Sequence, residues 1–293
     1  MRGVGIVFAS TGGNKLIRAV RSFRRIEPNY PCVHVAVDVS SNSWRQTEIP
    51  MQQMEDETGA VIRYIATRAH INGCLNEAMR FMEEEGYSHA CLFHDDIVFS
   101  PFPEHRGSVS KWFTPELLAS SGVTFGHFET SGFDPNEKYA RRSPEEWDAE
   151  DLESDALWSR LMNFQYDNGF EISNLPNVNF YARYEGPDKV RKWNRLGPTG
   201  QVVPIATWRA IGKFDEVAGV HYDQDYTSEC FRRKLPPVYA VPNIPWLHLH
   251  NQSMRPGGDP APEPWGSTEA YVRKFGANWP GFWKNDWEER WAD

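Results

Sequence analysis

The chain lacks any hydrophobic run that approaches the roughly 18 consecutive apolar residues a membrane-spanning helix needs. It also lacks a leader pattern, because Met1-Arg2-Gly3-Val4-Gly5-Ile6-Val7 enters a strand at once. The expectation is a soluble, cytoplasmic protein with no stable membrane insertion. Cysteine is scarce: Cys32, Cys74, Cys91 and Cys230 are spread through apolar segments, and no two stand in CxxC spacing. That argues against a zinc cage and against a disulfide framework, and leaves buried thiols. Positive charge is in deficit, with 31 Lys and Arg against 40 Asp and Glu, for a net charge of -9. A field of that sign disfavours a polyanionic partner unless basic residues cluster on one face. No internal repeat is visible, which excludes solenoid and propeller arrays.

What remains is a folded globular chain of 293 residues, 40% hydrophobic and 24% charged, long enough for one large domain or two small ones. Aromatic residues make up 14% of it, including 12 Trp. Core packing accounts for most aromatics, yet sugar rings stack on such faces, so the composition tilts toward a carbohydrate ligand.

The chain divides into three stretches. In residues 1 to about 101, short apolar runs alternate with helical patterns. Val4 to Ala9 reads as a strand, Ser10 to Asn14 as a turn, and Lys15 to Ile26 as a helix with Leu16, Ile17, Val20 and Phe23 on one face. Strands at Cys32 to Val39, Ala60 to Ile65 and His89 to Phe93 follow, with a helix from Asn72 to Glu85 before the last. That alternation indicates a doubly wound, mostly parallel sheet that binds ligands at the carboxyl ends of its strands. Asp38, Asp95 and Asp96 fall at such ends.

The second stretch, about 102 to 200, is rich in charge, Pro, Gly and aromatics and reads as an inserted irregular or helical segment. Its clearest pattern is Ser143-Pro144-Glu145-Glu146-Trp147, a helix start that Ala149 to Asn163 would continue. Order returns near Gln201. A short apolar run, Val202 to Ala206, leads to Ile211-Gly212-Lys213-Phe214-Asp215-Glu216. After it come a helix from Tyr222 through Arg233, a strand Val238 to Val241, and Trp246-Leu247-His248-Leu249-His250. Residues 252–293 form a Pro- and Trp-rich extension with no regular pattern.

The stretch Cys91-Leu92-Phe93-His94-Asp95-Asp96 is the most informative. Two adjacent carboxylates at the end of a buried strand repel each other and lose hydration, so a divalent cation is the simplest compensation; an acidic surface turn is the plain alternative. Alternation places His248 and His250 on one face of their strand, neighbours in space.

In this order and spacing the pieces resemble the family 2 type of nucleotide-sugar-dependent glycosyltransferase with a GT-A fold. The resemblance covers the first hundred residues and about 201 to 251, and it rests on six features. These are Asp38 at a strand end, Asn72-Gly73 opening a helix, Asp95 and Asp96 before Pro101, Ile211 to Glu216, the helix-opening pair Asp223 and Asp225, and a late His at 248 or 250.

The resemblance implies an α/β fold: a GT-A, Rossmann-like central sheet in one domain over 1–251. Its parts would be a nucleotide-binding half (1–101), an acceptor-side segment (102–200) and an acceptor and catalytic half (201–251). It implies a hexosyl- or pentosyltransferase using a nucleotide-diphosphate sugar, UDP-sugar favoured, with Mn²⁺ or Mg²⁺. Asp96, assisted by Asp95 and with His250 or His248, would hold the metal on the diphosphate. Asp38 would take the base, and Ser10, Thr11, Asn72, Gly73 and Asp95 would lie against the donor. Asp225, or Asp223, would act as general base, which makes the reaction inverting. Two positions depart from the family pattern: His94 occupies the first acid position of the usual Asp-x-Asp, and Glu229 stands where an Arg is common, with Arg232 and Arg233 later.

The acceptor would be a hydroxyl group on a glycan or, if Arg141, Arg142, Lys189, Arg191, Lys192, Trp193 and Arg195 form a basic and aromatic patch rather than the solvated surface that is the default reading of such charges, on a hydroxymethylated base of viral DNA. Two other classes stay open. One is a metal-dependent hydrolase or nuclease built on His94, Asp95, Asp96 and the late histidines. The other is a non-catalytic carbohydrate-binding protein.

Overall fold

The computed structural model describes residues 2–40, 42–67, 70–126, 128–129, 151–156, 158, 190–193, 199–216, 222–241 and 246–249. Among them no helix is long and apolar enough to cross a membrane.

The first strand, β1 (Arg2–Ser10), is buried from Val4 onward without polar alternation. A strand covered on both faces has that pattern, and β1 pairs in parallel with both β2 (Val33–Asp38) and β4 (Tyr87–His94). Helix α1 (Asn14–Ile26) buries Leu16, Ile17, Val20 and Phe23, the face its spacing predicts. It leaves β1 through Gly12 and Gly13, at φ 85° and 102°. That is backbone a side chain would strain, and a Cβ at Gly12 would also meet Trp44 Cβ at 2.8 Å. Beyond β2, a 3₁₀ segment at Asn42–Thr47 and α2 (Glu48–Thr58) lead into β3 (Val61–Ile65), which closes one edge of the sheet. The sequence gives little sign of α2, which buries only Met51 and Met54. Helix α3 (His70–Glu84) returns the chain to β4. It lies so close to β1 that a Cβ at Gly5 would sit 2.6 Å from Met82 Sδ.

Among the described residues the sheet has eight strands in the order β3-β2-β1-β4-β9-β6-β10-β8. Its second half is β6 (Gly122–Phe125), β8 (Arg191–Trp193), β9 (Gln201–Pro204) and β10 (Val238–Val241). Here β9 runs antiparallel to both β4 and β6, β10 is parallel to β6, and β8 is antiparallel to β10. The mostly parallel sheet is therefore as expected, while the stretch 102 to 200 departs from a simple insertion. A four-residue helix, α4 (Pro115–Leu118), leads into its strand β6, which lies inside the main sheet and at four residues is too short to show a period. The short apolar run from Val202 to Ala206 is divided between two elements: β9 ends at Pro204, and α5 (Ile205–Ala210) begins directly behind it. The helix expected over Ala149 to Asn163 is interrupted: Leu152 and Glu153 form a turn, and helical residues start at Asp155. Residues 143–150 lie outside the described set.

A second, three-stranded sheet has the order β5-β11-β7, from β5 (Ile97–Phe99), β7 (Phe128–Glu129) and β11 (Trp246–His248). It packs on the first through aromatic contacts, with Phe93, Phe99 and Trp246 within 5.9 Å of one another, centroid to centroid. Gly200 is the joint: at φ 65°, its N–H donates to Leu92 O, its carbonyl accepts from Phe125 N–H, and a Cβ there would lie 2.6 Å from the Trp246 ring.

Candidate functional site at the β1–β4 switch point

From β1 the chain winds outward through β2 to β3, then crosses back to place β4 on the other side of β1. The reversal opens a crevice beyond the carboxyl ends of β1 and β4, where open α/β sheets bind ligands. Ser10 ends β1 and His94 ends β4, and the structure brings them together through Asp95. The Ser10 hydroxyl donates to Asp95 Oδ2, and Lys15 Nζ lies 3.4 Å from the same oxygen. Ser10 also accepts the Gly12 N–H at 2.8 Å, which folds the turn through Thr11 back over the strand end.

Asp96 faces a different partner. His248 pairs with Ile97 across the β5–β11 ladder, and Leu249 N–H donates to Asp96 O at 2.8 Å, so backbone register sets His248 against Asp96. His248 Nε2 is 3.4 Å from Asp96 Oδ2. The other carboxylate oxygen, Oδ1, is buried with no hydrogen-bond partner. Burial alone would raise the Asp96 carboxyl; His248 foremost, then His94 and Lys15, outweigh it and hold the group well below the ordinary carboxylate range. The His94 ring is lowered, chiefly by burial and further by His248 and Lys15, against the pull of Asp96 and Asp95. Thr199 fixes the backbone there by accepting the His94 N–H at 2.9 Å.

At the end of β2, Asp38 Oδ1 accepts backbone N–H groups from Ser40 (2.9 Å) and Thr67 (3.3 Å). One oxygen of this carboxylate thus fastens two loops, the strand-end cap that a lone Asp predicts.

Asn72 and Gly73 are buried in the first turns of α3. Asn72 Nδ2 donates to Asp215 O at 2.5 Å, while Asn72 Oδ1 is buried without a hydrogen-bond partner. One turn on, Asn76 Oδ1 accepts from Trp208 Nε1 and Phe214 N–H, both at 3.0 Å, and Asn76 Nδ2 donates to Phe214 O at 3.0 Å. Two separate sequence motifs, Asn72 to Ala78 and Ile211 to Glu216, are therefore one structural joint.

Helix α6 (Tyr222–Arg232) carries Asp223 and Asp225 in its first turn, both buried. Two residues of helix separate them by about 200° of rotation, so they look to different sides. Tyr226 anchors the helix, its hydroxyl donating to Ser121 O at 2.5 Å. Glu229 draws Arg232 (2.6 Å) and Arg233 (3.3 Å) to itself, and Arg233 also donates to Ala210 O.

His250 lies outside the described residues, as do Arg141, Arg142, Lys189 and Arg195; for Arg191, Lys192 and Trp193 only the backbone of β8 is described. Among the described residues no three His, Cys, Asp or Glu side chains group as a metal cage. The residues present still fit a hydrated divalent ion. Mg²⁺-type sites take one or two carboxylates and let substrate phosphates supply the rest, and Asp96 offers a buried oxygen without a partner beside an imidazole. Lys15, Asn76 and Thr199 were not singled out from the sequence. Lys15 follows the Gly12-Gly13 turn, a visible signal, whereas Thr199 has none.

No protein-family model matches the sequence, and no curated protein matches it. Among solved structures, S. aureus TarS 1-349 in complex with UDP-GlcNAc aligns with TM-score 0.48 and 10% identity, over 86% of this chain and 61% of that one. The UDP complex of S. aureus TarS 1-349 gives 0.47 and 10%, over 84% and 60%. GalNAc-T7 with UDP, GalNAc and Mn²⁺ gives 0.49 and 8%, over 85% and 44%. The chain thus spans less than two thirds of each of these proteins.

Proposed function

We propose that the chain is a glycosyltransferase that moves a sugar from a nucleoside-diphosphate sugar to an acceptor hydroxyl. The observation that carries this reading is Asp96. It is a buried, ionised carboxylate in the switch-point crevice, with one oxygen against His248 and the other without a hydrogen-bond partner. A cation and its phosphates complete such a group; an apolar ligand does not.

Asp96 and His248 would hold Mn²⁺ or Mg²⁺, with His250 as a further donor. The ion supplies Lewis-acid stabilisation of the charge that builds on the leaving diphosphate. Asp38, at the end of β2, would accept an N–H from the donor base through the oxygen that does not hold Ser40 and Thr67, UDP favoured, with the Ser10–Thr11 turn against the ribose or phosphate. Asn72 Oδ1, a buried acceptor, suits a donor hydroxyl. Asp225 is the general base for the acceptor hydroxyl, with Asp223 as the other candidate, and their opposed directions mean that only one can serve. Attack from the side of that base, opposite the leaving group, inverts the anomeric centre. Residues 1–101 supply the donor half of this domain and 201–251 the acceptor half.

The test is a thermal-shift screen against UDP, GDP, CDP, ADP and dTDP, with and without Mn²⁺ or Mg²⁺, repeated on Asp96→Ala. A metal-dependent shift for one nucleotide that vanishes in the variant is the expected result. No shift with any nucleotide from a folded protein that binds metal returns the function to a hydrolase or to a non-catalytic binding protein.

A further inference from the structure

The geometry points to Lys15 as the residue that grips the donor's diphosphate, released to it from Asp95 as the donor binds. The inference rests on the transferase reading above and assigns the part of the site that reading leaves open. A diphosphate entering this crevice meets Asp95 and Asp96 side by side, and a divalent ion only balances those two carboxylates. The phosphates need a further positive charge. Lys15 puts a positive charge in ion-pair contact with the acidic pair, 3.4 Å from Asp95 Oδ2, and that charge is felt by Asp96 and His94 as well. The basic side chains of α6 are committed elsewhere, Arg232 and Arg233 to Glu229 and Arg233 also to the carbonyl of Ala210.

Lys15 is also built to let go. Its 3.4 Å contact with Asp95 Oδ2 is longer than the roughly 2.7–2.9 Å of a charge-assisted hydrogen bond, so that contact is a loose one for the ammonium to exchange for a phosphate oxygen. Asp95 keeps the Ser10 hydroxyl on the same oxygen. The Lys15 side chain is 16% exposed, so it is not sealed in the core as Asp95 is at 3%. The surroundings suit an anion: Lys15 stands in the first turn of α1, no side chain caps that helix at Gly13, and a Cβ built at Gly13 meets nothing within 4 Å. Asp95, on this account, is a positioning residue that aims Lys15, and Asp96 is the carboxylate left for the metal.

Calorimetric titrations of the wild type, Lys15→Met, Lys15→Arg and the double variant Lys15→Met with Asp95→Asn, all with Mn²⁺ present, test this. The probes are UDP, pyrophosphate and uridine, the last read by competition at millimolar concentration. Lys15→Met is expected to weaken UDP and pyrophosphate by about 10- to 100-fold while uridine changes less than about twofold, and Lys15→Arg recovers part of the loss. Should Lys15→Met leave Asp95 unbalanced and fail to fold, the double variant, which removes both charges, is expected to show the same selective loss. Equal weakening of UDP and uridine, or no change in either, overturns the inference. Lys15-dependent pyrophosphate binding with no binding of UDP, GDP, CDP, ADP or dTDP would uphold the anion site and sink the transferase reading. A wild type that binds neither removes both.

Discussion

The eight-stranded sheet and the three-stranded sheet meet at Asp96, and they build their shares of the site in different ways. The large sheet presents strand ends that are closed off by their own loops: Ser10 is tied to Gly12 and Asp95, and Asp38 to Ser40 and Thr67. The small sheet delivers His248 to a carboxylate whose other oxygen it leaves uncovered. One sheet gives the frame, and the other gives the imidazole that faces Asp96 inside it. Precision and reactivity thus come from separate layers.

The comparison breaks most sharply at Asp96 itself. Asp96→Asn keeps the shape and removes the charge, and sugar transfer is expected to fall about a thousandfold, measured as kcat/KM with the donor identified by the nucleotide screen. Damage confined to the frame comes next. Asn76→Ala strips the partners from Trp208 Nε1 and Phe214 N–H and is expected to cost about 3 kcal/mol in urea unfolding, with the Ile211 to Glu216 segment loosened. An unchanged unfolding midpoint would show that the joint between α3 and that segment carries no stability. On the side of the small sheet, His248→Gln should weaken Mn²⁺-dependent nucleotide binding by more than about tenfold and also lower the melting temperature without metal, because buried Asp96 loses the imidazole that faces it.

The smallest effect separates the sheets by pH. His34 and His89 both lie in the large sheet, and burial holds both rings below their ordinary value, opposed for His89 by its contact with Leu118 O. The unfolded chain protonates them near pH 6.5, about the ordinary histidine value, before the folded one does. Stability tied to these rings is therefore complete above about pH 6.5 and is lost as pH falls below it toward the folded values. His34→Phe, placed between Phe81 and Tyr87, should flatten part of that slope in melting temperature against pH, and an unaltered slope would assign it elsewhere.

The division between the sheets also decides what could be read from the sequence. β1, α1, β2, β3, α3 and β4 were legible because each is a continuous apolar run or a helical period bounded by turn residues, and Asp38, Asp95 and Asp96 follow directly from where those strands end. β6 was not, because Gly122-Val123-Thr124-Phe125 has no period to show and lies in a stretch dominated by charge, Pro and Gly. The small sheet draws on Ile97–Phe99, Phe128–Glu129 and Trp246–His248, so its existence is a tertiary fact with no local signature. His248 was visible as a candidate only because a resemblance to a family singled it out. Its alignment with Asp96 depends on the pairing of β5 with β11, which no spacing encodes. The docking role of Asn76 sat inside a motif read as a helix start, since one helical turn on paper does not say which distant carbonyl it will meet.

Gly200 touches neither Asp96 nor His248, yet it gauges the gap between them. Its missing side chain lets the Trp246 ring settle against the backbone joining β4 to β6, and Trp246 is two residues from His248 on the same short strand. A single methyl group at that point would work as a shim, lifting β11 and opening the carboxylate–imidazole spacing from a position outside the crevice. The spacing between that carboxylate and its imidazole is thus adjustable from behind, by the thickness of one residue.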